Sequence, residues 1–233
     1  MELENTDSAR AAKVMGQPYL DVMARIHARR APSTYLEIGT QTGASLRLAK
    51  CASIAIDPAF IMRGEVIGGK PSCLLFQSTS DAFFEAHDPV ALLGRPIDMA
   101  FLDGMHLAEF LLRDFINTER CCTADSVIVM HDCLPPNFEV ASRNFAARPR
   151  SGPFAQWWAG DVWRVVPTLR RHRPDLKISI LDAPPTGLVV VENLDPTSTL
   201  LREATLHDGS RQAFEDYWSE IAPQIGAAAG FMA

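Results

Sequence analysis

At 233 residues with 47% apolar side chains, the chain is long enough for one α/β domain with a full core and a modest appendage. Charged residues at 21% argue against wholesale disorder, and a net charge of −6 argues against a general nucleic-acid or membrane-surface binder. Five cysteines, with no C-x-x-C spacing, speak against a disulfide framework or a zinc knuckle and point to a reducing cytoplasm.

The acidic start Met1-Glu-Leu-Glu-Asn-Thr-Asp7 has no apolar core, so no signal peptide is expected. No apolar run approaches the roughly 18–20 residues of a membrane span. Residues 1–32 are expected to form an N-terminal helical segment, with Leu20, Met23, Ala24 and Ile26 on one face of a helix over 18–30. From there short aliphatic runs predict strands at 34–38, 53–57, 72–76, 97–103, 125–131, 177–182 and 187–191. Helical stretches are expected at 43–50, 80–87, 106–119 and 161–173. Strand and helix in alternation imply a parallel sheet with right-handed crossovers and helices on both faces. The last two strands are joined by Ala183-Pro-Pro-Thr-Gly187, too short for a helix, so the sheet should close on an antiparallel hairpin. The core is therefore placed at 33–195, with a substrate-loop region at 133–160 and a C-terminal helical extension at 196–233. In the extension Phe214, Tyr217, Trp218 and Ile221 share a helical face, while the tail 226–233 looks loosely held.

Ligands of open α/β sheets collect at the C-terminal ends of the strands. The first strand runs into Gly39-Thr-Gln-Thr-Gly43, where glycines let a ligand approach and an expected helix start offers free N–H groups. The spacing is G-x-x-x-G, not the dinucleotide G-x-G-x-x-G. The second strand delivers Asp57, 20 residues after Glu37, where an acid can accept from both ribose hydroxyls or simply cap the turn before Pro58. The third strand ends at Gln77-Ser78-Thr-Ser-Asp81, polar groups that suit either an adenine edge or a helix cap.

Glu37-Ile-Gly-Thr-x-x-Gly43-x-Ser45 followed by Ile56-Asp57-Pro58 resembles the first two motifs of the class I S-adenosylmethionine-dependent methyltransferases. The resemblance spans about residues 33–192. It implies a Rossmann-like, doubly wound, mostly parallel seven-stranded sheet with an antiparallel last strand. It also implies that Glu37, Gly39, Thr40, Gly43, Ser45, Asp57, Ser78 and Asp103 contact S-adenosylmethionine.

The fourth strand ends in Phe101-Leu-Asp103-Gly-Met-His106 and the fifth in His131-Asp132-Cys133, so Asp103 and Asp132 reach one edge of the sheet with two histidines nearby. Methyl transfer to a hydroxyl needs its proton removed or its pKa lowered, by a histidine or by a divalent ion held on carboxylates. These motifs resemble a subfamily that includes sugar and macrolide O-methyltransferases, some of them metal-dependent. The resemblance implies Asp103, His106 and Asp132 as catalytic residues and as ligands of magnesium or manganese. Cys133 stands where catechol-type enzymes place an Asn ligand, and a thiol is a poor magnesium ligand. Asp103 could instead serve its Asp-Gly turn, His106 could cap a helix, and His131, on the opposite side from Asp132 by strand alternation, could belong to the core.

Residues 133–160 combine Phe154, Trp157 and Trp158 with Arg143, Arg148 and Arg150, which suits a flat or sugar-like small-molecule acceptor carrying an acidic group. Asp161 is expected to cap a helix, and Arg170-Arg-His-Arg173 to be a solvated last turn. No nucleic-acid or membrane partner is expected, and nothing excludes a homo-oligomer. The leading expectation is a cytoplasmic, metal-assisted O-methyltransferase. An NAD(P)-dependent oxidoreductase is disfavoured by the glycine spacing and the closing hairpin, and a non-catalytic S-adenosylmethionine-binding protein is the third reading.

Overall fold

The computed structural model describes residues 2–227, and strands and helices alternate along them as the sequence pattern requires. The sheet contains β1 (Thr34–Ile38), β2 (Ala52–Ile56), β3 (Cys73–Phe76), β4 (Ile97–Leu102), β5 (Cys122–His131), β6 (Lys177–Asp182), β7 (Leu188–Glu192) and β8 (Ile225–Ala227). Their order is β3-β2-β1-β4-β5-β7-β6-β8. The strands from β3 to β5 pair in parallel, while β7 is antiparallel to both β5 and β6. The expected closing hairpin is therefore present. One strand exceeds the expected seven: three residues of β8 pair in parallel with β6. Residues 228–233 of the tail lie outside the described part of the chain.

Helices cover both faces because the central strands are apolar on both. On one face Leu36 and Ile38 of β1 pack into a core with Phe115 of α5 (Ala108–Glu119), Val166 of α6 (Val165–His172) and Phe214 of α7 (Arg211–Ile221). On the other, Tyr35 joins Val22, Met23 and Ile26 of α2 (Tyr19–Arg30). Phe214, Tyr217, Trp218 and Ile221 are buried along one side of α7, as their spacing predicts. The remaining helices are α1 (Glu2–Ala11), α3 (Ser80–Ala86) and α4 (Pro89–Leu93). The last starts on Pro89, with the Asp88 carboxylate accepting from Val90 N–H at 2.9 Å. No helix among the described residues is long and apolar enough to cross a membrane.

Two local expectations fail. No helix forms over 43–50; a single 3₁₀ turn, Leu46–Leu48, stands there. Eight residues, 44–51, separate Gly43 from β2, and a helical segment that short is marginal without tertiary support along its whole length. The four-residue basic cluster ending α6 is not uniformly solvated. Arg173 is buried and donates to Glu119 at 2.8 Å, clipping the end of α6 to the end of α5.

The segment before α2 lies against the closing hairpin. Gly16 N–H donates to Asp182 Oδ1 at 2.7 Å, and Tyr19 N–H donates to the Pro184 carbonyl at 3.0 Å. This brings the start of α2 to the C-terminal edge of the sheet.

Candidate active site

The ends of β1, β2, β4 and β5 open on a cavity of about 610 Å³, within the usual range for a small-molecule site. Its shape begins with Gly39. At φ +87° a Cβ there would stand 1.9 Å from the Asp103 carbonyl oxygen, so only glycine allows the β1 and β4 ends to meet. Asp57 then organises the next turn: Oδ2 accepts from Gln41 N–H at 2.8 Å and Oδ1 from Ala59 N–H at 2.7 Å. Both oxygens keep a free lone pair beside the cavity. Ser78 also lines it, with a buried hydroxyl that has no hydrogen-bond partner. Phe110 closes this end under the guanidinium of Arg113, which in turn pairs with Asp81 at 2.7 Å.

Of the expected cofactor residues, Gly39, Asp57, Ser78 and Asp103 stand on the cavity wall. Glu37, Thr40, Gly43 and Ser45 do not. Glu37 points to the α2 side, is fully buried, and accepts from the Tyr35 hydroxyl at 2.6 Å. Burial lifts its carboxyl to about 7, against the Tyr35 hydrogen bond and the nearby Thr40 and Ser45 hydroxyls, which favour the anion. Gly43, at φ +77°, leaves room for Val66, which a Cβ would meet at 2.5 Å. No helix N-terminus faces the cavity at this loop, since the expected helix is absent. The loop is held by pairing instead, with Ile61 N–H donating to Gln41 O at 2.9 Å and Arg63 N–H to Thr42 O at 3.0 Å.

At the other end Asp103, His106, His131 and Asp132 meet. His131 Nδ1 lies 3.3 Å from Asp103 Oδ1, and His106 Nε2 lies 3.2 Å from Asp132 Oδ2 and 3.6 Å from Asp103 Oδ1. Strand alternation would send His131 and Asp132 to opposite sides. The chain leaves β5 at His131, and Asp132 takes φ +62°, which breaks the alternation and lets both reach the cavity. The Thr186 hydroxyl, from the β6–β7 turn, donates to Asp132 Oδ1. Cys133 turns away and is buried with its Sγ 3.4 Å from the His131 carbonyl. A thiol ligand is therefore not in question.

The four groups share charge. Burial would raise Asp103, but His131 and His106 outweigh it and hold that carboxyl below the ordinary range. Burial would lower His106, yet the charge of Asp132 and the contact with Asp103 carry it up to about 9. His106 Nδ1–H donates to the Trp158 carbonyl at 3.0 Å, leaving Nε2 toward the carboxylates. One ligand atom each from Asp103, His131 and Asp132 fall within 4.8 Å of one another, a grouping that could hold a cation. This compact set contains His131 where the sequence pointed to His106, which stands beside it.

The 133–160 region supports the site from outside. Trp158 stacks on His106, with centroids 5.0 Å apart, and Trp157 packs on Phe154 at 5.4 Å. Two of its arginines are committed elsewhere than expected. Arg143 pairs with Glu109 and Asp161, each at 2.7 Å, and Arg148 donates to the Phe145 carbonyl at 2.8 Å. Among the described residues no Lys or Arg lines the cavity, so the basic partner expected for an acidic acceptor is missing there. Asp161 does not cap its own helix. Its Oδ1 accepts from Ala108 N–H at 2.9 Å and so caps α5, just after His106.

Sequence reasoning passed over Tyr19, whose ring lies 4.3 Å from that of His131, and Thr186. Neither belongs to a recognisable motif. Position was the only available signal: Tyr19 opens α2 after Pro18, and Thr186 sits in the hairpin turn.

A family model described as a methyltransferase domain matches residues 68–133, the stretch from before β3 to Cys133. No curated protein sequence matches the chain. In structure it is similar to the O-methyltransferase TomG from Streptomyces achromogenes, solved in complex with SAM, at 15% identity and a TM-score of 0.50, covering 82% of this chain and 90% of that one. It is also similar to cofactor-bound Rv0187 from MTB, at 13% identity and a TM-score of 0.50, covering 82% and 88%. The strand order and the closing hairpin agree with the Rossmann-like fold of these methyltransferase structures, and residues 68–133 resemble a methyltransferase domain.

Proposed function

We propose that the chain transfers the methyl group of S-adenosylmethionine to a hydroxyl oxygen of a small molecule or glycosyl unit, assisted by a divalent cation. The observation that carries this reading is the juxtaposition, across one cavity, of Asp57 and Ser78 at one end with the Asp103–His131–Asp132 grouping at the other. Asp57 retains acceptor capacity for ribose hydroxyls, and the unpartnered Ser78 hydroxyl offers a hydrogen bond to the base.

The donor set fits a cation: two carboxylates and an imidazole in a small space, each held by further contacts. Mixed oxygen and nitrogen donors suit manganese at least as well as magnesium, which favours oxygen. When bound, the cation would lower the pKa of the acceptor hydroxyl and fix its oxygen. Asp103 and Asp132 supply the anionic oxygens at that end of the cavity, and Thr186 orients Asp132. His106 presents Nε2 to the same carboxylates, where it can exchange a proton with a bound hydroxyl. Much of the acceleration would then come from holding the acceptor oxygen in line with the sulfonium methyl. A small neutral acceptor agrees best with a cavity wall free of basic side chains. Calorimetric titration with S-adenosylmethionine and its demethylated product, with and without manganese, tests the reading. Binding of both is expected; binding of neither overturns it.

A further inference from the structure

Tyr19 is the one aromatic side chain of the N-terminal segment that reaches the reactive groups, and the sequence motifs assign it nothing. Its ring lies 4.3 Å from the His131 ring at 33°, and Phe101 stands 6.1 Å from that histidine and 6.3 Å from Tyr19. His131 makes its polar contacts through Nδ1, to Asp103 Oδ1 at 3.3 Å and to Asp132 Oδ1 at 3.6 Å; its Nε2 is buried and has no partner. No hydrogen bond at the far nitrogen fixes the ring. Aromatic packing is what remains to fix it.

The backbone delivering Tyr19 is itself pinned. A Cβ on Gly16 would lie 2.5 Å from the Asp182 carbonyl oxygen, so the segment runs tight against the end of β6. The Tyr19 amide is tied to Pro184, and two residues further along the same turn Thr186 donates to Asp132. One hairpin turn thus places both the ring that backs His131 and the hydroxyl that orients Asp132. On the opposite side His106 is backed by Trp158 in a comparable way. We infer that Tyr19 is a positioning residue, whose ring holds His131 in the orientation that aims Nδ1 at Asp103 and so completes the cation-binding set. The inference rests on the proposed reading of this site for its metal arm only.

The test compares the wild-type chain with Tyr19→Phe, which keeps the ring, and Tyr19→Leu, which keeps apolar bulk without it. Manganese alone is titrated calorimetrically into each, and crystal structures record the His131 ring. Wild type and Tyr19→Phe should agree within about 2-fold, whereas Tyr19→Leu should lose roughly 10-fold or more in manganese affinity. In its crystal the His131 ring should leave the Asp103 contact. If His131 keeps that contact in Tyr19→Leu, the inference is overturned whatever the metal does. It is equally overturned if Tyr19→Phe, which retains the fold's packing, loses manganese as Tyr19→Leu does, because the hydroxyl and not the ring would then be responsible. Should wild type take up no manganese, the metal reading fails by itself and the His131 orientation still decides the role of Tyr19.

Discussion

His106 rests on Trp158 through two contacts at once: the rings stack with centroids 5.0 Å apart, and Nδ1–H donates to the Trp158 carbonyl at 3.0 Å. The approach is possible because residue 160 is glycine. A Cβ there, at φ +64°, would stand 1.7 Å from the His106 carbonyl oxygen. Gly160→Ala should therefore displace His106 while leaving the Asp57 end of the cavity intact. The expected result is a loss of about 100-fold in kcat with S-adenosylmethionine affinity unchanged within about 3-fold. Steady-state kinetics alongside calorimetry would show the split.

Asp57 holds its own turn and, in the proposed reading, the ribose of the cofactor. Asp57→Ala removes an acceptor for ribose hydroxyls and releases the amides of Gln41 and Ala59. Hydrogen bonds to charged groups contribute about 1.5–3 kcal/mol, so the dissociation constant for S-adenosylmethionine should rise roughly 10- to 100-fold. An unchanged constant would remove Asp57 from the site.

Two buried carboxyls make stability depend on pH. Burial raises both Glu37 and Asp114 to about 7. A folded-state value above the unfolded one means that the folded chain binds the proton more tightly. The associated stability is complete below the unfolded values near 4 and is lost as pH rises through about 7. For Glu37 the loss is on the order of 3 kcal/mol. Denaturant midpoints at pH 5 and pH 8 should differ less in Glu37→Gln than in wild type. An equal difference would show that Glu37 is not the source.

The buried Arg173–Glu119 pair and the exposed Arg170–Glu220 pair share one helix end but differ in environment. Glu119→Ala leaves a buried guanidinium with only Asp175 as its remaining partner and should cost about 3–5 kcal/mol, roughly 10 °C in Tm. Glu220→Ala should cost less than about 1 kcal/mol. Thermal unfolding of the two variants separates the cases.

These sites also show what the sequence could convey. The strands followed from short apolar runs, and the closing hairpin from a linker too short for a helix. Asp57, Asp103 and Asp132 were legible because each ends a strand, and strand ends converge on one edge. Other features depend on contacts that a linear pattern does not carry. Asp132 joins His131 on the cavity wall because it adopts a positive φ, which the strand pattern does not announce. Asp161 looks like the cap of its own helix but caps α5, 53 residues away in the chain. Glu37 has the motif position of a cofactor contact, yet alternation along β1 turns it into the core beside Tyr35. Residues 43–50 read as helical by composition, but the space between the glycine loop and β2 holds only one turn.

The most direct measurement is calorimetric titration of manganese into the chain already saturated with S-adenosylmethionine, repeated with Asp103→Asn and Asp132→Asn. One cation per chain is predicted for wild type, with uptake weakened by at least about 10-fold in each variant. No uptake by wild type, or equal uptake by all three proteins, would contradict metal-assisted transfer at Asp103, His131 and Asp132.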